Sequence, residues 1–275
     1  MQQWRIEQPE FLDLEGVRRL DVRLVAGGID VLGRAEDAED THPGAARVEV
    51  TNLEGPLDVR LEGGTLTITH ERLTWGGLFD WVGGERASAT LSVSVSPDCP
   101  VELGVVSADA VVSGITADRM AVKSVSGDVI LDGVRSDISA KTVSGDLETR
   151  RLAGALAFTT VSGDLTVVAG SSASVRAETV SGDLTLDLDL QTGGRINVSS
   201  VSGDVSVRMP GSVGLRVDAK TMSGSLDCAF DGVQAERQPG MARMRGQIGD
   251  GSGLLKAKTV SGDVVLLQQV EANDA

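Results

Sequence analysis

The sequence KSVSGDVIL, residues 123–131, recurs along the second half of the chain and decides its fold. The serine of each copy marks its position, at Ser126, Ser144, Ser162, Ser181, Ser202, Ser223 and Ser261. Successive marker serines lie 18, 18, 19, 21, 21 and 38 residues apart. Because the last step is about two units long, we interpret residues 243–253 as a degenerate unit. A weaker copy, VVSADAVV at residues 105–112, precedes the series.

In each copy the residues before the marker serine alternate as in a β-strand with one buried face. The sixth and fourth residues before it are apolar, as with Met120 and Val122, and the second always carries a hydroxyl group, as with Ser124. The third, Lys123 in the first copy, is polar in every copy and is expected to face water. Beyond the corner, Val129 or its equivalent points inward again. The alternation excludes a helix and predicts two short strands flanking each Ser-Gly-Asp corner.

A unit of 18–21 residues fits one coil of a β-solenoid (β-helix), stacked on the next coil at about 4.8 Å. A β-sandwich is the rival architecture, but its strands would not repeat the same side-chain classes in register over seven copies. We therefore predict an all-β, single-domain β-solenoid. Residues 101–270 would form the repeats, residues 1–100 a less regular N-terminal β segment that caps the same solenoid, and residues 271–275 a polar tail.

The Ser-Gly-Asp corners are predicted to be structural turns. Glycine suits a positive φ or a tight bend, the inward hydroxyl groups are expected to bond from coil to coil, and each carboxylate is expected to accept an N–H within its own turn. A row of bound cations, calcium above all, and catalysis remain the alternatives. The turn residues are Ser126, Gly127, Asp128, Ser144, Gly145, Asp146, Ser162, Gly163, Asp164, Ser181, Gly182, Asp183, Ser202, Gly203, Asp204, Ser261, Gly262 and Asp263.

The V-S-G-D-V/L repeat, the stretch GQIGDGSG at 246–253 and the final TVSGDV at 259–264 resemble the bacterial putative-adhesin family of β-strand-repeat proteins, a domain of unknown function. The resemblance covers roughly residues 10–268. It implies a β-helical fold, no known catalytic residues and, for some relatives, an association with the cell envelope and its stress responses.

Charge and composition exclude several classes of protein. A net charge of −15 would repel a phosphate backbone, so nucleic acid is not an expected partner. The N-terminus lacks a basic segment followed by an apolar run, and no stretch approaches the ~18 apolar residues of a membrane span. We expect no transmembrane segment and a cytoplasmic location, with any envelope association made through a partner. Cys99 and Cys228 are expected to be small core residues.

The sequence offers no catalytic or cofactor-binding motif. Its two histidines, His42 and His70, lack metal-ligand spacing, and no phosphate-binding loop is present. We therefore expect that the protein is not an enzyme and binds no cofactor and no metal. We predict an adhesin-like scaffold or interaction protein with an unknown protein or glycan partner, and a link to cell-envelope functions is a further hypothesis. A carbohydrate-binding or carbohydrate-active β-helix is the alternative, motivated by the row of aspartates and the fold, although this acidic surface would repel acidic polysaccharides.

Two inserted stretches and the C-terminus bear on partners. Trp75, Phe79 and Trp81, in residues 73–86, are a candidate partner contact in a chain with few aromatic residues, and the alternative is that this loop folds over the solenoid as a plug. A second stretch holds Arg237, Arg243 and Arg245 and is expected to bulge from the solenoid wall as a loop. Self-association through the C-terminal coil is a third hypothesis, because the short tail would leave its edge uncovered.

Overall fold

The structure, a computed structural model, describes residues 1–34, 44–70 and 87–269. The secondary-structure elements in these ranges are all β-strands. No helix in these ranges has the length and apolar character needed to cross a membrane. The chain divides into two compact units, Met1–Ser136 and Asp137–Ala275. The strands are β1 Gln2–Ile6, β2 Glu10–Leu14, β3 Arg19–Gly33, β4 Ala46–Glu54, β5 Leu57–Glu62, β6 Thr65–His70, β7 Ser88–Val95, β8 Val101–Ser113, β9 Arg119–Ser124, β10 Val129–Asp132, β11 Asp137–Lys141, β12 Leu147–Arg150, β13 Leu156–Thr159, β14 Leu165–Glu178, β15 Leu184–Ser199, β16 Val205–Met209, β17 Leu215–Thr221, β18 Leu226–Cys228, β19 Val233–Gln238, β20 Met241–Ile248, β21 Gly253–Lys258 and β22 Val264–Gln268.

Within the unit Asp137–Ala275, parallel strands form two strips, one on each side of the Ser-Gly-Asp corners. The strip before the corners has the order β11, β13, β14, β15, β21, β17, and the strip after them has the order β12, β14, β15, β16, β22, β18. Equivalent residues stack in register, as Leu147, Leu165, Leu184 and Val205 do. Each coil thus gives one strand to each strip, and the predicted β-solenoid is confirmed in this unit.

The coils of this unit follow a spatial order that differs from their order in the sequence. The last coil of the chain, β21 and β22, lies between the coil of residues 195–209 and the coil of residues 215–228. The interpretation of the 38-residue step as two successive coils is therefore wrong. Residues 241–248 form β20, which runs antiparallel to β17, because the chain turns back there before it enters the gap between two earlier coils.

The strip before the corners, called the first strip below, ends in a hairpin beside β17. β20 pairs antiparallel with β17 on one side and with β19 on the other. The stretch that carries Arg237, Arg243 and Arg245 is thus a β-hairpin, where a loop was expected. The C-terminal strands β21 and β22 have neighbours on both sides. The uncovered C-terminal edge, on which the expected self-association depended, does not exist there.

The unit Met1–Ser136 also contains two strips, and only part of each strip is parallel. One strip has the order β1, β5, β6, β3, β8, β9 and the other β2, β4, β7, β3, β8, β10. β3 and β8 are long and serve both strips, as full coils do. The outer strands β1, β2, β4 and β5 run antiparallel to their neighbours. The domain boundary expected near residue 100 stays a prediction.

The inward positions of the repeat form the core. The sixth residues before the marker serines, such as Ile138, Leu156, Val175 and Ile196, are at most 4% exposed. Burying an aliphatic side chain of this size contributes about 1.5–3 kcal/mol. One coil cannot bury such side chains alone, so this stabilisation depends on its stacked neighbours. Aliphatic residues fill most of the core, which explains how a chain with few aromatic residues folds.

Candidate functional site

The glycine of each corner is required by the close approach of the neighbouring coil. A Cβ atom on Gly182 would lie 1.9 Å from the carbonyl oxygen of Gly163, and one on Gly203 1.9 Å from that of Gly182. In the other unit, a Cβ atom on Gly127 would lie 1.8 Å from the carbonyl oxygen of Ala108. The corner glycines do not have positive φ. The expected role in a φ > 0 turn is therefore wrong, and the physical reason is lack of space between coils.

The inward hydroxyl groups close the corners from inside. Thr160 Oγ1 accepts a hydrogen bond of 2.9 Å from the N–H of Gly163, three residues further along. This is a bond within one coil, where bonds between coils were expected. Bonds between coils occur as well, from Thr142 Oγ1 to Thr160 Oγ1 at 2.8 Å and from Thr221 Oγ1 to the carbonyl oxygen of Gly262 at 3.0 Å. These buried hydroxyl groups are thus engaged in holding the corner.

The corner aspartates form a ladder that links coil to coil. In each step the Oδ1 atom of one aspartate accepts the backbone N–H of the next aspartate in space, as from Asp183 to Asp164 at 2.8 Å. A bond within the aspartate's own turn was expected, and the ladder corrects that. The steps in the unit Asp137–Ala275 join Asp146, Asp164, Asp183, Asp204, Asp263 and Ser225.

Ser225 occupies the aspartate position in the last described coil of the ladder. Its N–H donates to Asp263 Oδ1 at 2.7 Å, as the aspartates do to their neighbours. No corner follows it among the described residues, so a carboxylate at this position would have no N–H of a further coil to accept. Arg237 Nη2 donates to the carbonyl oxygen of the adjacent Gly224 at 3.3 Å. The odd residue of the repeat thus marks the terminal coil.

The corner serines are also used by the fold. Ser181 donates both its N–H and its hydroxyl hydrogen to the carbonyl oxygen of Val161 on the preceding coil, at 2.9 and 3.3 Å. Ser162, Ser202 and Ser261 repeat the pair of bonds on their own neighbours. A nucleophilic serine needs a base to take its proton. Here an amide oxygen receives the hydrogen, so this geometry gives the serines a structural role.

Several residues singled out in the sequence lie outside the described residues. His42 is one of them. Trp75, Phe79 and Trp81 are others, so the aromatic partner contact stays a prediction. His70 is described and is 2% exposed, with Nδ1 accepting the N–H of Val25 at 3.1 Å. Burial lowers the pKa of His70 to about 4, so its imidazole is neutral at pH 7.

The described residues contain no group of three or more His, Cys, Asp or Glu side chains arranged to hold a metal ion. Cys99 is buried, as expected, and burial raises the pKa of its thiol to about 11. Cys228 is only partly buried, which differs from the expected core position, and burial raises its thiol pKa as well. Both cysteines remain thiols at neutral pH and are poor nucleophiles.

A row of exposed apolar side chains runs along the corners of the unit Asp137–Ala275. Each member directly precedes a marker serine, and the serine N–H bonds fix their order in space. The members are 44–60% exposed, and five spacings of about 4.8 Å make the row about 24 Å long. We call this row the valine ridge, and it comprises Val143, Val161, Val180, Val201, Val260 and Met222.

The valine ridge was not predicted from the sequence, although the repeat contains its signal. The residue before each marker serine points outward by the alternation and is nevertheless apolar in every copy, including Val125 in the other unit. The other outward position, three residues before the serine, carries Lys141, Thr159, Glu178 or another polar residue. An outward position that stays apolar in all copies is a candidate contact surface.

A second surface feature lies on the strip after the corners. Asp187, Arg208, Gln268 and Gln269 line a shallow groove of about 490 Å³, which we call the polar groove. Asp187 forms an ion pair with Arg208 and accepts a hydrogen bond of 2.8 Å from Gln269. The hydrogen bond from Arg208 has the largest effect on the pKa of Asp187. Together with the hydrogen bond from Gln269, it holds this pKa below its usual range. A carboxylate that stays ionised cannot act as the general acid of a glycosidase.

Together, the stacked coils, the aspartate ladder and the engaged serines define a β-solenoid repeat protein whose corners are structural. Residues 100–197 match the family model described as Toastrack DUF4097. The match confirms the resemblance to a repeat family of unknown function. It covers a shorter part of the chain than the roughly 10–268 over which the motifs suggested it.

Three solved structures are similar to this chain. A putative cell adhesion protein from Clostridium sporogenes ATCC 15579 is 13% identical, with a TM-score of 0.26 over 95% of this chain and 100% of that one. A putative lipid binding protein from Parabacteroides distasonis ATCC 8503 is 12% identical, with a TM-score of 0.46 over 95% and 97%. A putative adhesin from the same organism is 11% identical, with a TM-score of 0.39 over 94% and 97%. Comparison with curated proteins finds no match.

Proposed function

We propose that this protein is a non-catalytic, adhesin-like interaction scaffold and that the valine ridge is its binding surface. The observation that carries the proposal is the row of six apolar side chains, each 44–60% exposed, at the corners of consecutive coils. The backbone on both sides of each member bonds to the neighbouring coils, so the ridge is presented at a fixed spacing. A preorganised apolar surface loses little conformational entropy when a partner covers it.

A structural role for the valines predicts a different response to substitution. β-Branched side chains fit stacked strands well, so the valines also stabilise the corners by contacting one another. Threonine keeps the branch at Cβ and the volume but replaces a methyl group by a hydroxyl group. A purely structural stack would tolerate threonine at these half-exposed positions, whereas an apolar contact with a partner would be weakened.

The test compares the triple variant Val161→Thr, Val180→Thr and Val201→Thr with the control Val168→Thr. Val168 is 40% exposed and lies outside the valine ridge. Each protein is cross-linked in cells of its own organism, and the captured proteins are quantified. We expect the triple variant to lose at least one partner that wild type and control retain, with all three melting within a few degrees. Equal capture by all three would overturn the proposal.

The absence of catalysis is part of the proposal. It is supported by the corner geometry, in which the hydroxyl groups and one oxygen of each ladder carboxylate are already engaged by backbone groups. Turnover of any glycan or ester by the purified chain, abolished by a single substitution, would contradict it. The cytoplasmic location and the lack of a nucleic-acid partner stay predictions.

A neutral glycan bound in the polar groove is the second candidate function. The groove combines two carboxamides with an ion pair, and such groups can bond to several sugar hydroxyl groups at once. Calorimetric titration with neutral oligosaccharides tests this, using Gln269→Ala to remove one carboxamide and Thr185→Ala as an exposed control outside the groove. Binding that is lost only with Gln269→Ala would support the glycan site, and no binding by wild type would remove it.

A further inference from the structure

Strand β19 is the outermost described strand of the first strip in the unit Asp137–Ala275. It pairs with β20 through the two-residue turn Pro239-Gly240, in which Gly240 has a φ of +80°. Five of its six residues are exposed, and only Val233 is partly covered. In the ranges 1–34, 44–70 and 87–269, β20 is the one strand with a residue register against β19, so the other edge of β19 has no strand beside it. β19 therefore presents an open β-edge.

The hydrogen-bond pattern shows which backbone groups point to this edge. The N–H of Gln247 donates to the carbonyl oxygen of the directly opposite Gly232 at 3.3 Å. Directly opposite residues of an antiparallel pair alternate between bonded and non-bonded pairs. Residues 234, 236 and 238 therefore bond to β20. The N–H and C=O groups of Val233, Ala235 and Arg237 point away from β20, toward the open edge.

We propose that β19 pairs antiparallel with β19 of a second copy of this chain, on a two-fold axis at Ala235. In this register Val233 lies opposite Arg237 of the second copy, and Gln234 lies opposite its Glu236. All outward-pointing N–H and C=O groups of β19 then find partners. An isologous pair of this kind closes on itself, so it gives a dimer and no fibre.

Charge selects this register among those that the hydrogen-bond pattern allows. An axis at Glu236 would place two glutamates opposite each other, and an axis at Arg237 two arginines, which destabilises a strand pair. Moving the axis toward Val233 shortens the pairing. An axis at Ala235 keeps the longest ladder and opposes no like charges.

Charge also favours a second copy as the occupant of this edge. The chain has a net charge of −15, so most approaches of two copies are repulsive. At the hairpin the charges nearly cancel, because Arg243 and Arg245 both contact Asp218, while Glu236 and Arg237 are neighbours on β19. This edge therefore lets two copies approach at little electrostatic cost. The interface is small, so we expect a dissociation constant in the micromolar range or weaker.

The first test is sedimentation velocity over a concentration series for wild type, Ala235→Pro and Ala235→Val. Proline removes one N–H that points to the open edge and is tolerated on edge strands, so the bonds to β20 remain. Valine keeps that N–H and suits a strand. We expect a concentration-dependent dimer for wild type and Ala235→Val, and a monomer for Ala235→Pro with an unchanged melting temperature. A wild-type monomer at every concentration would overturn the proposal.

The second test changes charge and leaves the backbone intact, which keeps the proposal testable if proline disturbs the hairpin. Because of the two-fold axis, each substitution acts twice. Gln234→Lys would place the new lysine of each copy opposite Glu236 of the other copy and lower the dissociation constant by between about twofold and thirtyfold. Gln234→Glu would raise the dissociation constant by a similar factor. Equal dissociation constants for the two variants would contradict this register. The valine-ridge threonine variant should dimerise like wild type, so the two proposals fail separately.

Discussion

The Ser-Gly-Asp corners and the loops at the other end of the same coils differ in how much they repeat. At the corners, the same glycine contact, aspartate bond and serine bond recur on coil after coil. The segments around Gly193, an irregular part of β15, and around Ser212 vary in length and lie near the polar groove and a neighbouring depression. Residues that recur at every coil are explained by stacking alone, so residues that depart from the repeat carry the information about function.

The largest effect is expected where the repeat is tightest, at Gly182. Its Cβ atom would lie 1.9 Å from a backbone oxygen, so Gly182→Ala would force two coils apart and destabilise the unit by about 4 kcal/mol or more. Gly193 has a φ of +76° and no atom within 4 Å of its Cβ position, so Gly193→Ala should cost only about 1–2 kcal/mol. Urea unfolding of both variants measures the contrast. Equal costs would show that the corners are no tighter than the loops.

The repeat made much of this fold predictable from the sequence. Residue classes at every second position indicated the inward set, and the spacing of the marker serines indicated the coils. The order of the coils was not predictable, because corners with identical residues can stack in any order. One corner differed from the others, through Met222 and Ser225, and the meaning of Ser225 depends on knowing that no described corner follows it.

The candidate site was less predictable for two different reasons. The valine ridge is visible in the sequence as an outward apolar residue that recurs in every copy, but the repeat alone does not separate a contact surface from a structural stack of valines. The polar groove was not readable, because Asp187, Arg208 and Gln269 belong to three different coils in the sequence. Two of these coils become neighbours only through the insertion of the C-terminal strands.

The aspartate ladder should give the next largest effect. Asp183→Ala leaves the N–H of Asp204 without its acceptor and should cost about 1 kcal/mol, since this edge of the corner is solvated. Asp183→Asn keeps an oxygen at Oδ1 and removes one charge from a row of like charges, so it should be close to neutral. Denaturant unfolding of the two variants separates the hydrogen bond from the charge. Equal destabilisation by both would show that the charge matters.

A smaller, pH-dependent effect is expected in the polar groove. Because Arg208 holds the pKa of Asp187 below its unfolded value, the pair stabilises the protein above that unfolded value and is lost as the pH falls through the folded pKa. Arg208 is half exposed, so solvent screens the pair and its contribution to stability should be small. In unfolding experiments on wild type and Arg208→Gln, the difference in stability should be smaller at pH 3 than at pH 7. A difference that grows in acid would contradict the assigned sign.

The smallest effect tests the order of the coils. If the coil of Ser225 is the last in the ladder, Ser225→Asp provides a carboxylate that no further coil can use, and its repulsion from Asp263 is partly offset by the nearby Arg237. Stability should then change by no more than about 0.5 kcal/mol. The reverse exchange at an interior coil, Asp204→Ser, removes the acceptor for the N–H of Asp263 and should cost about 1 kcal/mol. A gain of that size from Ser225→Asp would mean that another coil stacks on this corner, and the C-terminal strands would then have to occupy a different place.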